Sequence, residues 1–330
     1  MSKHITLPTI ADVWAAGERV YEIVDETPIL SADHLASMVG AHYVGLKLEL
    51  LQPTGSFKVR GATNTILSLS DEEREKGVIT FSTGNHGRAV SYVAHQVGID
   101  AYVCLSNRVP QYRVDAVKQL GGTPVIYGNS QDEAEDRYAE LKESEGYIPV
   151  VPFDDPRVIA GQGTIALEIL GQNPDVDTML VPLSGGGLLA GIAMTMKSLK
   201  PSVKIVGVSI SRSPAMVESL KIGKPADIKE QDTLADSLLG GIGRENFYTM
   251  ALIEKYVDDH ILIDEDEIEV AMRYLFSHHG LVAEGSAAVG VAALLHNKYN
   301  VQGKHVVMPL TGQNVDEALY LSVIQKGVHS

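Results

Sequence analysis

A single cysteine, Cys104, occurs in 330 residues, so no internal disulfide framework can hold this chain together. Stability has to come from a packed core, and the cysteine usage suits a reducing compartment. Cys104 lies in the apolar run Ala101-Tyr102-Val103-Cys104-Leu105, the setting of a buried structural thiol. Positive charge is also scarce. The 27 Lys and Arg residues face 42 Asp and Glu, a formal charge of −15, which argues against nucleic acid or an anionic membrane as partner. No apolar run is long enough to span a bilayer, and the segment Met1-Ser2-Lys3-His4-Ile5-Thr6-Leu7-Pro8 lacks the apolar stretch of a signal peptide. A cytoplasmic protein is expected. The histidines show no metal-ligand spacing, and there is no internal repeat, low-complexity tract or long linker.

What the chain does have is length and apolar content, 45% hydrophobic, enough for two domains or one large core. Short β-rich runs at 43–49, 78–82, 101–105, 124–127, 148–151, 179–183, 203–208, 259–263 and 304–309 alternate with helical patterns at 86–97, 111–120, 131–144, 187–199, 264–278 and 315–326. That alternation predicts an α/β architecture with largely parallel sheets. Gly98 and Gly121-Gly122 follow helical patterns, as glycines at helix C-termini do.

Three segments carry chemistry. In Pro53-Thr54-Gly55-Ser56-Phe57-Lys58-Val59-Arg60-Gly61, a lysine follows a Gly-Ser turn and an aromatic and leads into an apolar-periodic helix. An amine held in such a pocket loses solvation, its pKa falls, and it becomes usable as nucleophile or base. Ser82-Thr83-Gly84-Asn85-His86-Gly87 forms a polar turn between the strand-like 77–81 and a helix, where open α/β sheets bind ligands. Its hydroxyls, its glycine and the first helical N–H groups suit a carboxylate, although Asn85-His86 also suits a helix cap. Ser184-Gly185-Gly186-Gly187-Leu188 follows the strand 179–183 and opens a helix, a nest of backbone donors for phosphate or else a tight turn. It matches neither the dinucleotide fingerprint nor the nucleotide P-loop.

An amine able to condense with an aldehyde, a carboxylate turn and a phosphate nest together suggest pyridoxal phosphate. With Gly55 to Gly61, Ser82 to Gly87, Gly161-Gln162-Gly163-Thr164, Ser184 to Gly187 and Thr311-Gly312-Gln313-Asn314-Val315-Asp316 in order over nearly the whole chain, the sequence resembles the serine/threonine dehydratase family of fold-type II pyridoxal-phosphate enzymes. Thr233 to Gly243 and Ala283-Glu284-Gly285 look similar to its hydroxyectoine-utilisation and β-hydroxyaspartate dehydratase branch.

The resemblance implies a tryptophan synthase β-like fold of two open, parallel-type sheets flanked by helices, with the cofactor in an interdomain cleft. It implies a large domain from 1–76 and 148–330, a small mobile one from 77–147, and a homodimer. Lys58 would carry the cofactor covalently and take the substrate's α-proton, with Phe57 beside it. Asn85 would bond the cofactor's 3′-oxygen, Gly185, Gly186, Gly187 and Leu188 would cradle its phosphate, and Thr311 would face its ring nitrogen or simply end a strand. Ser82, Thr83, Gly84, Asn85 and His86 would hold the substrate. The reaction would be β-elimination from a β-hydroxy amino acid such as threonine, serine or 3-hydroxyaspartate, giving a keto or imino acid and ammonia. Racemisation, β-replacement and a non-catalytic cofactor-binding role are the alternatives. The short stretch after Asp316 leaves no room for the regulatory domain of biosynthetic members, which favours a catabolic or specialised enzyme.

Three positions depart from the family pattern. Thr83 stands where racemases place a serine base, which favours dehydration. Ser209 and Ala215 stand where metal-dependent members carry carboxylates, so no metal site is expected. Glu284 remains as a ligand, an acid/base group or a structural residue. Ala235-Asp236-Ser237 replaces Ala-Asp-Gly near the substrate side chain. A dicarboxylic substrate would need a cation there, and Arg113, Arg157, Arg212 and Arg244 are available.

Overall fold

Residues 5–82 and 84–326 are described in a computed structural model. Its strands, in chain order, are β1 Ile29–Ser31, β2 Tyr43–Lys47, β3 Val78–Phe81, β4 Ala101–Leu105, β5 Thr123–Ile126, β6 Ile148–Pro149, β7 Thr178–Pro182, β8 Lys204–Ile210, β9 Asp259–Ile263 and β10 His305–Pro309. They make a larger sheet of order β1-β2-β10-β7-β8-β9 and a smaller one of order β5-β4-β3-β6. Every pairing is parallel except β1 with β2, where Ile29 faces Lys47 and Ser31 faces Gly45.

Both faces of the larger sheet are covered, as a parallel sheet requires. Successive side chains point to opposite faces. Leu180, Val206, Val208, Val306 and Met308 therefore enter one core with the helices Glu265–His279 and Gly285–Leu295. Met179, Val181, Ile205 and Val307 enter the other, with Pro156–Gln172 and Gly187–Leu199. A third core joins Val78 and Ala101 of the smaller sheet to the helices Asn85–Gln96 and Lys58–Leu67.

Each expected strand lies within two residues of an observed one, but strand β1 and several helices do not show in the periodicity. The physical reason is clearest for Pro156–Gln172 and Gly285–Leu295. Both are buried around most of their circumference, so neither has the polar face that makes a helix legible. The segment Gly161 to Thr164 falls inside the first. A Cβ on Gly161 would lie 2.7 Å from the Arg60 carbonyl oxygen and 2.8 Å from Gly61 Cα. This motif is a helix crossing that seats Lys58–Leu67 against its neighbour.

Candidate active site

The turn before Lys58 is held by the chain segment that follows β10. Gln313 N donates to Gly55 O and Phe57 N to Thr311 O, both at 3.0 Å, and Ser56 pairs antiparallel with Gly312. Gly55 sits at φ +72°, in the left-handed region, and an added Cβ would come within 2.8 Å of Asn314 Oδ1. These contacts bring together motifs from opposite ends of the sequence and start the helix at Lys58 beside Thr311.

Lys58 is half-buried as a residue, but its amine is enclosed. Nζ donates to the Pro152 carbonyl at 2.8 Å and lies 5.3 Å from the centroid of the Phe57 ring. Loss of hydration pushes its pKa down to about 8, against the opposing pull of Glu284. At that pKa about a tenth of the amine is neutral at pH 7, against well under a hundredth for an ordinary lysine.

Residues 150–153, which sequence reasoning did not single out, organise the surroundings of that amine. Val150 O bonds His86 Nε2 at 2.8 Å, Pro152 O accepts the hydrogen bond from Lys58 Nζ, and Phe153 lies against the glycine loop. A Cβ on Gly185 would enter the Phe153 ring, and one on Gly187 would meet its backbone at 3.0 Å. Gly186 caps the helix Gly187–Leu199 at φ 89°, so the N–H groups of Gly187 and Leu188 open a helix at the positive end of its dipole. No composition signal marks Pro152 or Phe153, because their role comes only from where β6 ends.

Gly84 caps the helix Asn85–Gln96, and the space where its Cβ would be is open. Ser82 Oγ accepts from Gly84 N at 3.4 Å. Thr83 lies outside the described residues. His86 is buried, its pKa is pushed down to about 3 by desolvation and then by the Lys58 charge, and its Nε2 is bonded to backbone. It is therefore a neutral ring fastened to the end of β6. Asn85 is 7% exposed. Its Nδ2 donates to Glu284 Oε1 at 2.9 Å and Oε2 at 3.1 Å, and its Oδ1 accepts from Asn314 Nδ2 at 2.6 Å.

Glu284 caps the helix Gly285–Leu295 and is 2% exposed. Burial, opposed by the Asn85 hydrogen bond and reinforced by Asp236, raises its carboxyl to about 7. Thr311 is 3% exposed, and its hydroxyl makes no hydrogen bond among the described residues. The nearby hydroxyls of Ser56 and Ser286 are buried without a partner.

The four arginines named from sequence are accounted for. Arg113 pairs with Asp236 at 2.7 Å, Arg157 with Asp155 at 2.8 Å, Arg212 bonds Asp232 O at 2.6 Å, and Arg244 is exposed. Among the described residues the half-buried arginine without a hydrogen-bond or ion-pair partner is Arg88, three positions after Asn85. Its Nε is buried, and Glu284 is the charge that acts on it. The loop after β8, which contains Arg212, is also clasped by Ser213 Oγ, which donates to Lys229 O at 2.8 Å. Among the described residues no group of three or more His, Cys, Asp or Glu could hold a metal ion.

This is the architecture of an α/β enzyme with an enclosed amine beside a glycine-rich anion loop. The family model described as "Pyridoxal-phosphate dependent enzyme" matches residues 20–312, and the chain belongs to that family. The fold is that of fold-type II pyridoxal-phosphate enzymes, and pyridoxal phosphate is the cofactor. A protein of Sinorhizobium fredii is 45% identical over 316 residues, 96% of this chain and 95% of that one. The L-threonine ammonia-lyase of Thermotoga maritima is 39% identical over 97% of this chain and 79% of its own. Maize serine racemase superposes with a TM-score of 0.91 at 32% identity, covering 97% of this chain and 98% of that one.

The residues present fit the cofactor. The amine is pushed toward its neutral form, the glycine loop leaves no room for a Cβ, and the Thr311 hydroxyl has no partner among the described residues.

Proposed function

We propose that the protein is a pyridoxal-phosphate ammonia-lyase that removes the β-hydroxyl of a β-hydroxy amino acid and releases a keto acid and ammonia. The observation that carries this reading is the Lys58 amine, enclosed and bonded to one backbone carbonyl, with its pKa pushed down to about 8. The chemistry pyridoxal phosphate would supply there is an electron sink for the substrate's α-carbon.

The chain supplies placement and proton handling. Backbone N–H groups of Gly185, Gly186, Gly187 and Leu188 would hold the phosphate, with Phe57 and Lys58 beside the cofactor. Asn85 Nδ2 would donate to the ring oxygen, and the Thr311 hydroxyl would bond the ring nitrogen. A neutral hydroxyl there would not protonate the ring as a carboxylic acid would, which suits expulsion of a leaving group. Ser82, Gly84, Asn85 and His86 would line the carboxylate end of the substrate site, Thr83 being the further candidate from sequence, and the neutral Lys58 amine would take the α-proton. Water leaves from the β-carbon and is taken up again when the product is hydrolysed, so the net release is ammonia.

The reading includes residues 77–147 as a small mobile domain closing on 1–76 and 148–330, and a homodimer working in the cytoplasm. No helix among the described residues is long and apolar enough to cross a membrane. The guanidinium of Arg88, unpaired among the described residues, favours including dicarboxylic substrates, because a second carboxylate would neutralise it.

The test is a screen of the purified holoenzyme with L-serine, L-threonine and the 3-hydroxyaspartate stereoisomers, scoring keto acid and ammonia together. Stoichiometric release from one of them is expected. Product only when sulfide and an activated serine are supplied would replace elimination with β-replacement. Inversion without ammonia would make the protein a racemase, and cofactor absorbance with no reaction a binding protein.

A further inference from the structure

An asparagine side chain has nearly the same shape in both amide orientations, so its partners decide which end donates. Asn85 lies in a chain of contacts that leaves one choice. Thr54 O can only accept, and Asn314 Nδ2 donates to it at 2.9 Å. The same nitrogen gives its second hydrogen to Asn85 Oδ1 at 2.6 Å. The Asn85 nitrogen therefore points away from Asn314, toward the Glu284 carboxylate, whose oxygens accept at 2.9 and 3.1 Å. Reversing Asn85 would set its oxygen against the carboxylate and its NH2 against the NH2 of Asn314.

One N–H of Asn85 is engaged by Glu284. Among the described residues the other has only Ser237 Oγ within reach, at 3.5 Å, the outer edge of a hydrogen bond. It is the donor left over for a ligand. The members of the chain come from separate elements. Thr54 and Asn314 belong to the paired segments before Lys58 and after β10, Asn85 opens the helix that follows β3, and Glu284 caps the helix Gly285–Leu295.

We propose that Asn314 and Glu284 are positioning residues for Asn85, and that together they fix its amide nitrogen as the donor to the cofactor's ring oxygen. This rests on the reading that Asn85 bonds that oxygen. Asn314 supplies the polarity, because its own orientation is set by a backbone carbonyl. Glu284 supplies an acceptor, and it does so in either protonation state, since a neutral carboxyl still presents its carbonyl oxygen.

The experiment measures the affinity of the apo-protein for pyridoxal phosphate, and the position of the visible absorbance band, without substrate. Asn85→Ala is the reference. Asn314→Asp keeps the shape but faces Thr54 O and Asn85 Oδ1 with acceptors, and Glu284→Ala removes the acceptor. Each is expected to weaken cofactor binding about tenfold and to move the band in the same direction as Asn85→Ala. Glu284→Gln keeps an acceptor and is expected to stay within about threefold of the parent. In the Asn85→Ala background, Asn314→Asp should add nothing further, a comparison that separates positioning from general damage to the fold. If Asn85→Ala moves both readouts but Asn314→Asp and Glu284→Ala move neither, or if the Asn314→Asp effect persists in full without Asn85, the positioning role is wrong. If Asn85→Ala itself changes nothing, the assignment of Asn85 to the ring oxygen falls and takes the inference with it.

Discussion

Lys58 and Arg60 sit two residues apart in the first turn of one helix, and their surroundings are opposite. Arg60 is fully buried and fully paired. Its Nε and Nη2 grip Glu49 at 2.7 and 2.8 Å, and Nη1 reaches Glu168 at 2.5 Å. Lys47 completes the group by pairing with Glu168 at 2.5 Å and bonding the Thr27 carbonyl, so two cations meet two carboxylates. Burial opposes the charge on Arg60, but Glu49 and Glu168 overcome it and hold the guanidinium ionised. Around Lys58 the nearest group is one carbonyl, and Glu284 pulls too weakly to restore the ordinary lysine pKa. A buried charge whose partners are all present is a structural joint. A buried amine left short of partners is a reagent, because the protein has already removed much of the cost of deprotonating it.

The comparison breaks first at Lys58. Lys58→Ala is expected to lower turnover by about 10³-fold or more and to abolish the bound-cofactor band, with the apo-protein's denaturant midpoint no lower than the parent's. Retained turnover would show that the amine is not the reagent. Glu168→Ala should do the reverse. It leaves Arg60 and Lys47 short of a counter-charge and is expected to cost about 3–5 kcal/mol in urea unfolding, while any folded fraction still binds the cofactor. A loss within 0.5 kcal/mol, as at an ordinary surface site, would mean the cluster is not a joint.

The pH dependence sharpens the contrast. Capture of the cofactor needs the neutral amine, so its rate in the apo-protein should fall about tenfold per pH unit below about 8 and level off above it. An ordinary lysine would still be climbing at pH 10. The linked effect on stability has a definite sign. The folded state loses the Lys58 proton more readily than the unfolded chain, so this residue's contribution rises as pH passes from 8 to 10.5. A smaller change is expected at Thr311. Thr311→Ala should slow elimination about tenfold while leaving the cofactor bound, and a parental rate would remove the hydroxyl from the ring nitrogen. The smallest effect is reserved for chelators. With Ser209 and Ala215 in place of carboxylates, turnover in a chelating buffer should change by less than about twofold, and strict magnesium dependence would contradict that.

Much of the site could be read from local sequence. Lys58, Asn85 and the glycine loop lie in short segments where residue type and neighbours already specify a turn into a helix, and the strands could be placed because a period of two survives in isolation. Which arginine faces the site was not legible in the sequence. Arg157 and Arg212 are engaged by Asp155 and the Asp232 carbonyl, Arg113 pairs with Asp236 of the loop Ala235-Asp236-Ser237, and Arg88, in the helix after Asn85, has no hydrogen-bond or ion-pair partner among the described residues.

What lay beyond reach were pairings between distant positions. Arg60 and Glu168 are 108 residues apart, Asn85 and Glu284 are 199 apart, and Asn85 and Asn314 are 229 apart. Local pattern carries the chemistry of each side chain and the element it starts or ends, because those depend on near neighbours. Whether a buried charge becomes a joint or a reagent depends on which distant groups the packing brings within 3 Å, and no run of adjacent residues encodes that.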